Sequence, residues 1–137
     1  MKSKYLLSFF SLFFALLSPL FLYGQGGEKP IPEDFLKNPG KPVLVMFTAS
    51  WCGPCGMMKT DILPHPEVKP LLEQVNFLMM DTDTKEGKKY LTALGCEKVG
   101  IPHFVLMDRE QRFIADYRGY NKDPQKFVSF LNKALKP

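Results

Sequence analysis

The run Trp51-Cys52-Gly53-Pro54-Cys55 places two thiols two residues apart, between the β-branched, apolar stretch 43–47 and a helix-compatible segment. That spacing suits a dithiol that alternates between two thiols and one disulfide. At the start of a helix, free backbone N–H groups and the macrodipole favour the thiolate of the first cysteine. The second cysteine, one turn on, is near enough to attack a mixed disulfide formed by the first. Two other chemistries use such a pair. A zinc site needs two further ligands. The chain offers Cys96, His65 and His103, with neither a second C-x-x-C nor an H-x-H cluster. A purely structural disulfide across so short a ring removes little loop entropy. Redox exchange is therefore the leading reading, with no metal and no organic cofactor.

The elements that must hold the pair follow from hydropathy and punctuation. Residues 43–47 are apolar on both faces, as a buried central strand is. The helix after Cys52 carries Met57, Met58, Ile62 and Leu63, and Pro64 must break it. His65-Pro66-Glu67 predicts a new helix with proline at its first position, running to about Gln74. Residues 75–80 read as a strand that ends in Asp81-Thr82-Asp83-Thr84. Residues 85–94 have helical spacing and stop at Gly95. Residues 104–107 and 112–118 read as an antiparallel hairpin, with Phe113, Ala115 and Tyr117 facing the core. Asp123-Pro124 opens a last helix whose apolar face carries Phe127, Val128, Leu131, Ala134 and Leu135. A short helical turn is expected within 33–38. This order predicts an α/β domain, a mixed sheet with helices on both faces.

Residues 1–24 read as a secretory signal peptide: Lys2 and Lys4, an almost wholly apolar run over 5–22, and the small Gly24 before Gln25. The apolar run is near the ~18 residues at which a span is possible, so an uncleaved N-terminal membrane anchor is the alternative. No cysteine near the cleavage region offers a lipid anchor. Residues 25–32, rich in glycine and proline, read as a linker, and 33–137 as one domain. Without the leader, 16 basic residues face 14 acidic ones. So mild a charge gives no argument for nucleic acid. The domain is expected to be a monomer. The odd cysteine, Cys96, is expected to be a buried apolar thiol, with a mixed or intermolecular disulfide as the alternative.

Trp51-Cys52-Gly53-Pro54-Cys55 after a buried strand resembles the active site of the thioredoxin family, and Gly100-Ile101-Pro102 before a short strand resembles that family's cis-proline loop. Gly119 stands where the family often has glycine. Pro64-His65-Pro66-Glu67-Val68 and the Asp81/Asp83 strand end look closer to exported members. These include the C-terminal domain of transmembrane thiol–disulfide reductases and small periplasmic thioredoxin-like proteins. The resemblance implies a thioredoxin-like fold over roughly 33–137. It implies Cys52 as attacking thiolate and Cys55 as resolving thiol, with Gly53 and Pro54 setting the helix entry and Trp51 shielding one side. A cis Pro102 would set Ile101, with Gly100 before it, beside the disulfide, where its backbone could pair with an extended substrate. The implied partners are disulfide-bonded protein clients and an upstream thiol electron donor such as a membrane reductase. The implied location is periplasmic or secreted.

Several positions depart from that pattern. The buried acid that thioredoxins commonly carry five residues before the tryptophan is Met46 here, and the matching lysine falls near Phe77. The proton route for Cys55 is therefore open. Gly56 replaces the usual basic residue after the motif, and Lys59, one turn on, reads as a solvated lysine. His103 is expected as an outward strand residue, with pH tuning of the site as its alternative. Gly-Pro between the cysteines resembles the reducing members, whereas an exported location favours a disulfide oxidase or isomerase. A peptide-binding module that uses the Ile101 groove without turnover is a reading of another class, against which the intact cysteine pair argues.

Overall fold

The computed structural model describes residues 29–137. The signal peptide expected at 1–24, and residues 25–28 of the expected linker, lie outside them. Four strands form one sheet in the order β2-β1-β3-β4. Strand β1 (Val43–Thr48) runs parallel to β2 (Asn76–Asp81) and antiparallel to β3 (His103–Met107), which pairs antiparallel with β4 (Phe113–Arg118). The uniform apolarity of β1 has its reason here, because the central strand is covered on both faces and all six residues are buried.

Alternation along β1 and β3 divides the core in two. Leu44, Met46, Phe104 and Leu106 face helix α1 (Gly53–Met57) and helix α4 (Pro124–Leu135). On that side Phe127 packs edge-on against Phe104 and Tyr117, with ring centroids 4.9 and 5.1 Å apart. Val43, Val45, Phe47, Val105 and Met107 share the opposite cluster with Ile31, Cys96 and Tyr90 of helix α3 (Lys85–Ala93). The Asp123 carboxylate caps α4 by accepting the Gln125 N–H at 3.0 Å, with Pro124 following it in the first turn.

Three local expectations are corrected. The second helix does not begin at Pro66: residues 63–68 are turns, and α2 is the short Lys69–Leu72. A helix started at Pro66 would need an N–H at residue 70 to bond back to residue 66, and Pro70 has none. Pro70 sits instead in the first turn of α2, where the missing N–H costs nothing. In the hairpin, a register shift at Leu106/Met107 pairs Met107 with Phe113 and Leu106 with Ala115. Two residues then oppose one, so Ile114 packs on the core while Phe113 is 66% exposed. Finally, the last residues of the expected linker are docked. Ile31 is fully buried, its N–H donating to Gln111 Oε1 at 2.8 Å and its carbonyl accepting from Gln111 Nε2 at 2.7 Å.

Candidate active site

Cys52 stands at the N-cap of α1 with extended backbone (φ −86°, ψ 101°), directly after a turn closed by its N–H to the Ala49 carbonyl at 3.2 Å. Pro54 in the first turn leaves no orphan N–H there. The next N–H, that of Cys55, donates to Cys52 Sγ at 3.2 Å. In the reduced pair this donor favours charge on Cys52 rather than on Cys55. The two cysteines are joined as a disulfide, with Cα atoms 5.3 Å apart. Cys52 keeps 7% of its surface exposed and Cys55 none. A Cβ added at Gly53 or Gly56 would meet no atom within 4 Å, so these glycines leave the flank of the turn bare. Past Met57 the helix widens into a π-turn, Met58–Ile62, closed by the Leu63 N–H on the Met58 carbonyl at 2.9 Å.

The Ile101–Pro102 peptide is cis. Ile101 is half-buried between the two core clusters, and the Pro102 carbonyl accepts the Gly119 N–H at 2.8 Å. Gly119 has φ +73°, which a residue with a Cβ rarely adopts. Gly100 is exposed beside them. Trp51 is 69% exposed, and its Nε1–H donates to Asp83 Oδ2 at 2.9 Å, which ties the indole to the turn after β2. The Asp83 turn is itself set by Thr84, whose Oγ1 caps α3 by accepting the Gly87 N–H at 2.9 Å. Tyr120 O–H donates to Asp61 Oδ2 at 3.0 Å, tying the π-turn to the loop after β4; that bond raises the Tyr120 phenol above its ordinary value.

Met46 is fully buried in the cluster that holds Cys52 and Cys55, and Phe77 packs against the same cluster, so no carboxylate–lysine pair stands behind the dithiol. Lys59 is exposed, as expected. His103 is not an outward residue. It lies on the far face of β3, 3% exposed, with Nε2 3.0 Å from Asp116 Oδ2, and Asp116 also accepts from Arg118 Nε at 2.7 Å. Arg118, and His103 after it, hold the Asp116 carboxyl below the usual carboxylate range. The sheet separates this group from Cys55, because the His103 ring sits with Phe47 on the opposite cluster. Cys96 is a free, buried thiol whose Sγ–H donates to the Leu94 carbonyl at 3.3 Å. Burial, then the Asp116 charge, push its thiol up. Among the described residues no group of three or more His, Cys, Asp or Glu side chains could hold a metal ion. None of their helices is long and apolar enough to cross a membrane.

Sequence reasoning missed the Trp51–Asp83 and Tyr120–Asp61 bonds and the His103–Asp116–Arg118 chain. The partners lie 32, 59 and 13 residues apart, and no local pattern links them.

Residues 34–109 match the model of a thioredoxin-like family. The chain belongs to the thioredoxin-like family. It is 37% identical over 78 residues to the thioredoxin-like protein HCF164, chloroplastic, of Arabidopsis thaliana, a match over 57% of this chain and 28% of that protein. It is 35% identical over 93 residues to a thiol:disulfide interchange protein TxlA homolog of Synechocystis, covering 67% of this chain and 49% of the relative. The chain thus spans less than half the length of either. Among solved structures, the oxidised C-terminal domain of DsbD from Neisseria meningitidis superposes with TM-score 0.59 at 26% identity, over 70% of this chain and 82% of that one. The family and fold expected from the cysteine motif both hold.

Proposed function

We propose that this chain is an exported thiol–disulfide oxidoreductase that reduces protein disulfides through Cys52 and Cys55. The observation that carries the reading is the asymmetric pair: Cys52 at a helix entry, keeping 7% of its surface exposed, with its sulfur receiving an N–H, and Cys55 fully buried behind it. The Cys52 thiolate attacks one sulfur of a client disulfide. The client S–S bond breaks, and one client sulfur leaves and takes a proton. The Cys55 thiolate then attacks Cys52 Sγ, forming the Cys52–Cys55 disulfide and releasing the second client thiol. The client gains two electrons, both from the protein's dithiol, and two protons, one matching that lost by Cys55 and one from solvent, where the Cys52 proton had gone. An upstream thiol donor, by class a membrane reductase, restores the dithiol.

Trp51, Gly53 and Pro54 shape the turn, while Gly100, Ile101 and Pro102 offer backbone to an extended client segment. Export rests on the leader read over 1–24, with the uncleaved anchor as its alternative. The reducing direction rests on Gly-Pro between the cysteines. The relative named as a thiol:disulfide interchange protein supports the reaction class. Insulin reduction with dithiothreitol, comparing the chain with Cys52→Ser, tests the reading. A rate that vanishes in the variant is expected. A wild-type chain with no such rate would leave a binding module. Equilibration with glutathione tests direction: a potential around −270 mV, the thioredoxin value, is expected, and one above roughly −180 mV would make it an oxidase or isomerase.

A further inference from the structure

Between Trp51 and the Gly100-Ile101 segment that would pair with a client lies a cleft of about 240 Å³ whose side chains take no part in the sulfur exchange itself. Its apolar walls are Trp51, Leu91, Val99 and Ile101, and its polar groups are Thr82 and Glu97. It opens between Trp51, next to the attacking sulfur, and Ile101, where a client strand would pair. Alternate side chains of an added strand point to one side, so a client residue near the cysteine would be carried into this cleft. The Trp51 indole is held by its bond to Asp83 and presents an exposed face. Glu97 is exposed and forms no hydrogen bond or ion pair among the described residues. Lys98, next in sequence, does not line the cleft.

Resting on the function proposed above, we infer that this cleft selects clients carrying a lysine or arginine beside the reactive cysteine. A long basic side chain suits both parts of the lining. Its methylene stem covers Leu91, Val99 and Ile101 while its charged end stays near water. The cation then meets the Trp51 face and the Glu97 carboxylate together. A purely apolar side chain would leave Glu97 unused, and an acidic one would be repelled by it. An exposed ion pair and an exposed cation–π contact together correspond to roughly a fivefold rate advantage.

The test uses three cyclic peptide disulfides that differ only in the residue flanking one cysteine: lysine, norleucine or glutamate. The chain is reduced, freed of reductant and mixed with each under single-turnover conditions. The lysine peptide is expected to react about fivefold faster than the norleucine peptide, the glutamate peptide slower than both, and the lysine advantage to shrink with added salt. Glu97→Gln should bring the lysine peptide most of the way to the norleucine rate, and Glu97→Lys should reverse the order of the charged peptides. Equal rates for all three peptides, or a lysine advantage unchanged by Glu97→Gln, would overturn the inference while leaving the oxidoreductase reading intact. No exchange with any peptide, together with no insulin reduction, would overturn both.

Discussion

Met46→Asp restores an acid behind the dithiol, and its consequences can be worked from the fold. Met46 is fully buried on the central strand, with Phe104 opposite it on β3 and the two cysteines in the same packed cluster. Losing a buried side chain of this size costs about 2–5 kcal/mol, and a poorly paired buried carboxyl about 1–3 kcal/mol more. The variant should therefore lose on the order of 3–8 kcal/mol out of a typical 5–15 kcal/mol. Burial disfavours the carboxylate, so the folded pKa is raised above the unfolded value near ~3.9. Between those two values the native state binds more protons than the unfolded state. Stability relative to wild type must then fall as pH rises, by about 1.4 kcal/mol per pH unit, and level off above the folded pKa. Urea unfolding of the oxidised proteins from pH 4 to pH 8 measures this directly. Met46→Leu, which conserves volume, should show no such slope and should cost less than about 1.5 kcal/mol.

The same variant tests the proton route. If deprotonation of Cys55 limits release of the client, Met46→Asp should release a Cys52 mixed disulfide faster than wild type, with a changed pH profile, despite its lower stability. Single-turnover release across pH is the assay. A folded variant with an unchanged rate and profile would mean that the native protein already removes the Cys55 proton adequately without the acid. A stability difference independent of pH would refute the premise that residue 46 lies in an apolar site.

Alkylation of the reduced protein near neutral pH, read by mass spectrometry, should label Cys52 first, ahead of the fully buried Cys55 and of Cys96, whose thiol burial pushes up; faster labelling of Cys55 or Cys96 would reverse the proposed roles. Gly87→Ala should cost about 1–3 kcal/mol, since a Cβ there would overlap the Asp81 carbonyl, and should disturb Trp51 fluorescence through the Asp83 turn; Gly56→Ala, where a Cβ meets nothing, should leave thermal stability equal or higher. The depressed Asp116 carboxyl contributes stability that is present above the unfolded value near ~3.9 and is lost as pH falls through the folded value. Asp116→Asn should accordingly cost under about 1 kcal/mol at pH 7 and less at pH 3, and an equal cost at both, from urea midpoints, would refute the pairing.

The chemistry was legible in the chain because it is local. Two cysteines at helical spacing, a proline at the helix entry and an all-apolar strand before them are consequences of near neighbours. The N-cap of Cys52 and the burial of β1 follow from them. The Asp123-Pro124 start of the last helix was readable for the same reason. So was the missing acid at Met46, since a residue's identity needs no fold. The likeness to the thioredoxin family rests on such short runs.

What the chain alone did not determine lies at positions whose environment is set from far away. His103 has the polarity of a surface residue, yet the sheet buries it, and Asp116 from the neighbouring strand, itself held by Arg118, bonds its ring. The residues before Glu33 looked like a linker because glycine and proline dominate there, but Gln111, 80 residues on, satisfies both backbone groups of Ile31 and makes its burial possible. Phe113 and Ile114 exchanged faces because a one-residue shift in pairing inverts every side chain before it, and register is a property of two strands together. The cleft that joins Trp51 to Ile101 and Glu97 exists for the same reason: strands β1 and β3 are adjacent in the sheet but more than fifty residues apart in the chain. Spacing along the backbone determines which groups can react together, and only packing determines what surrounds them.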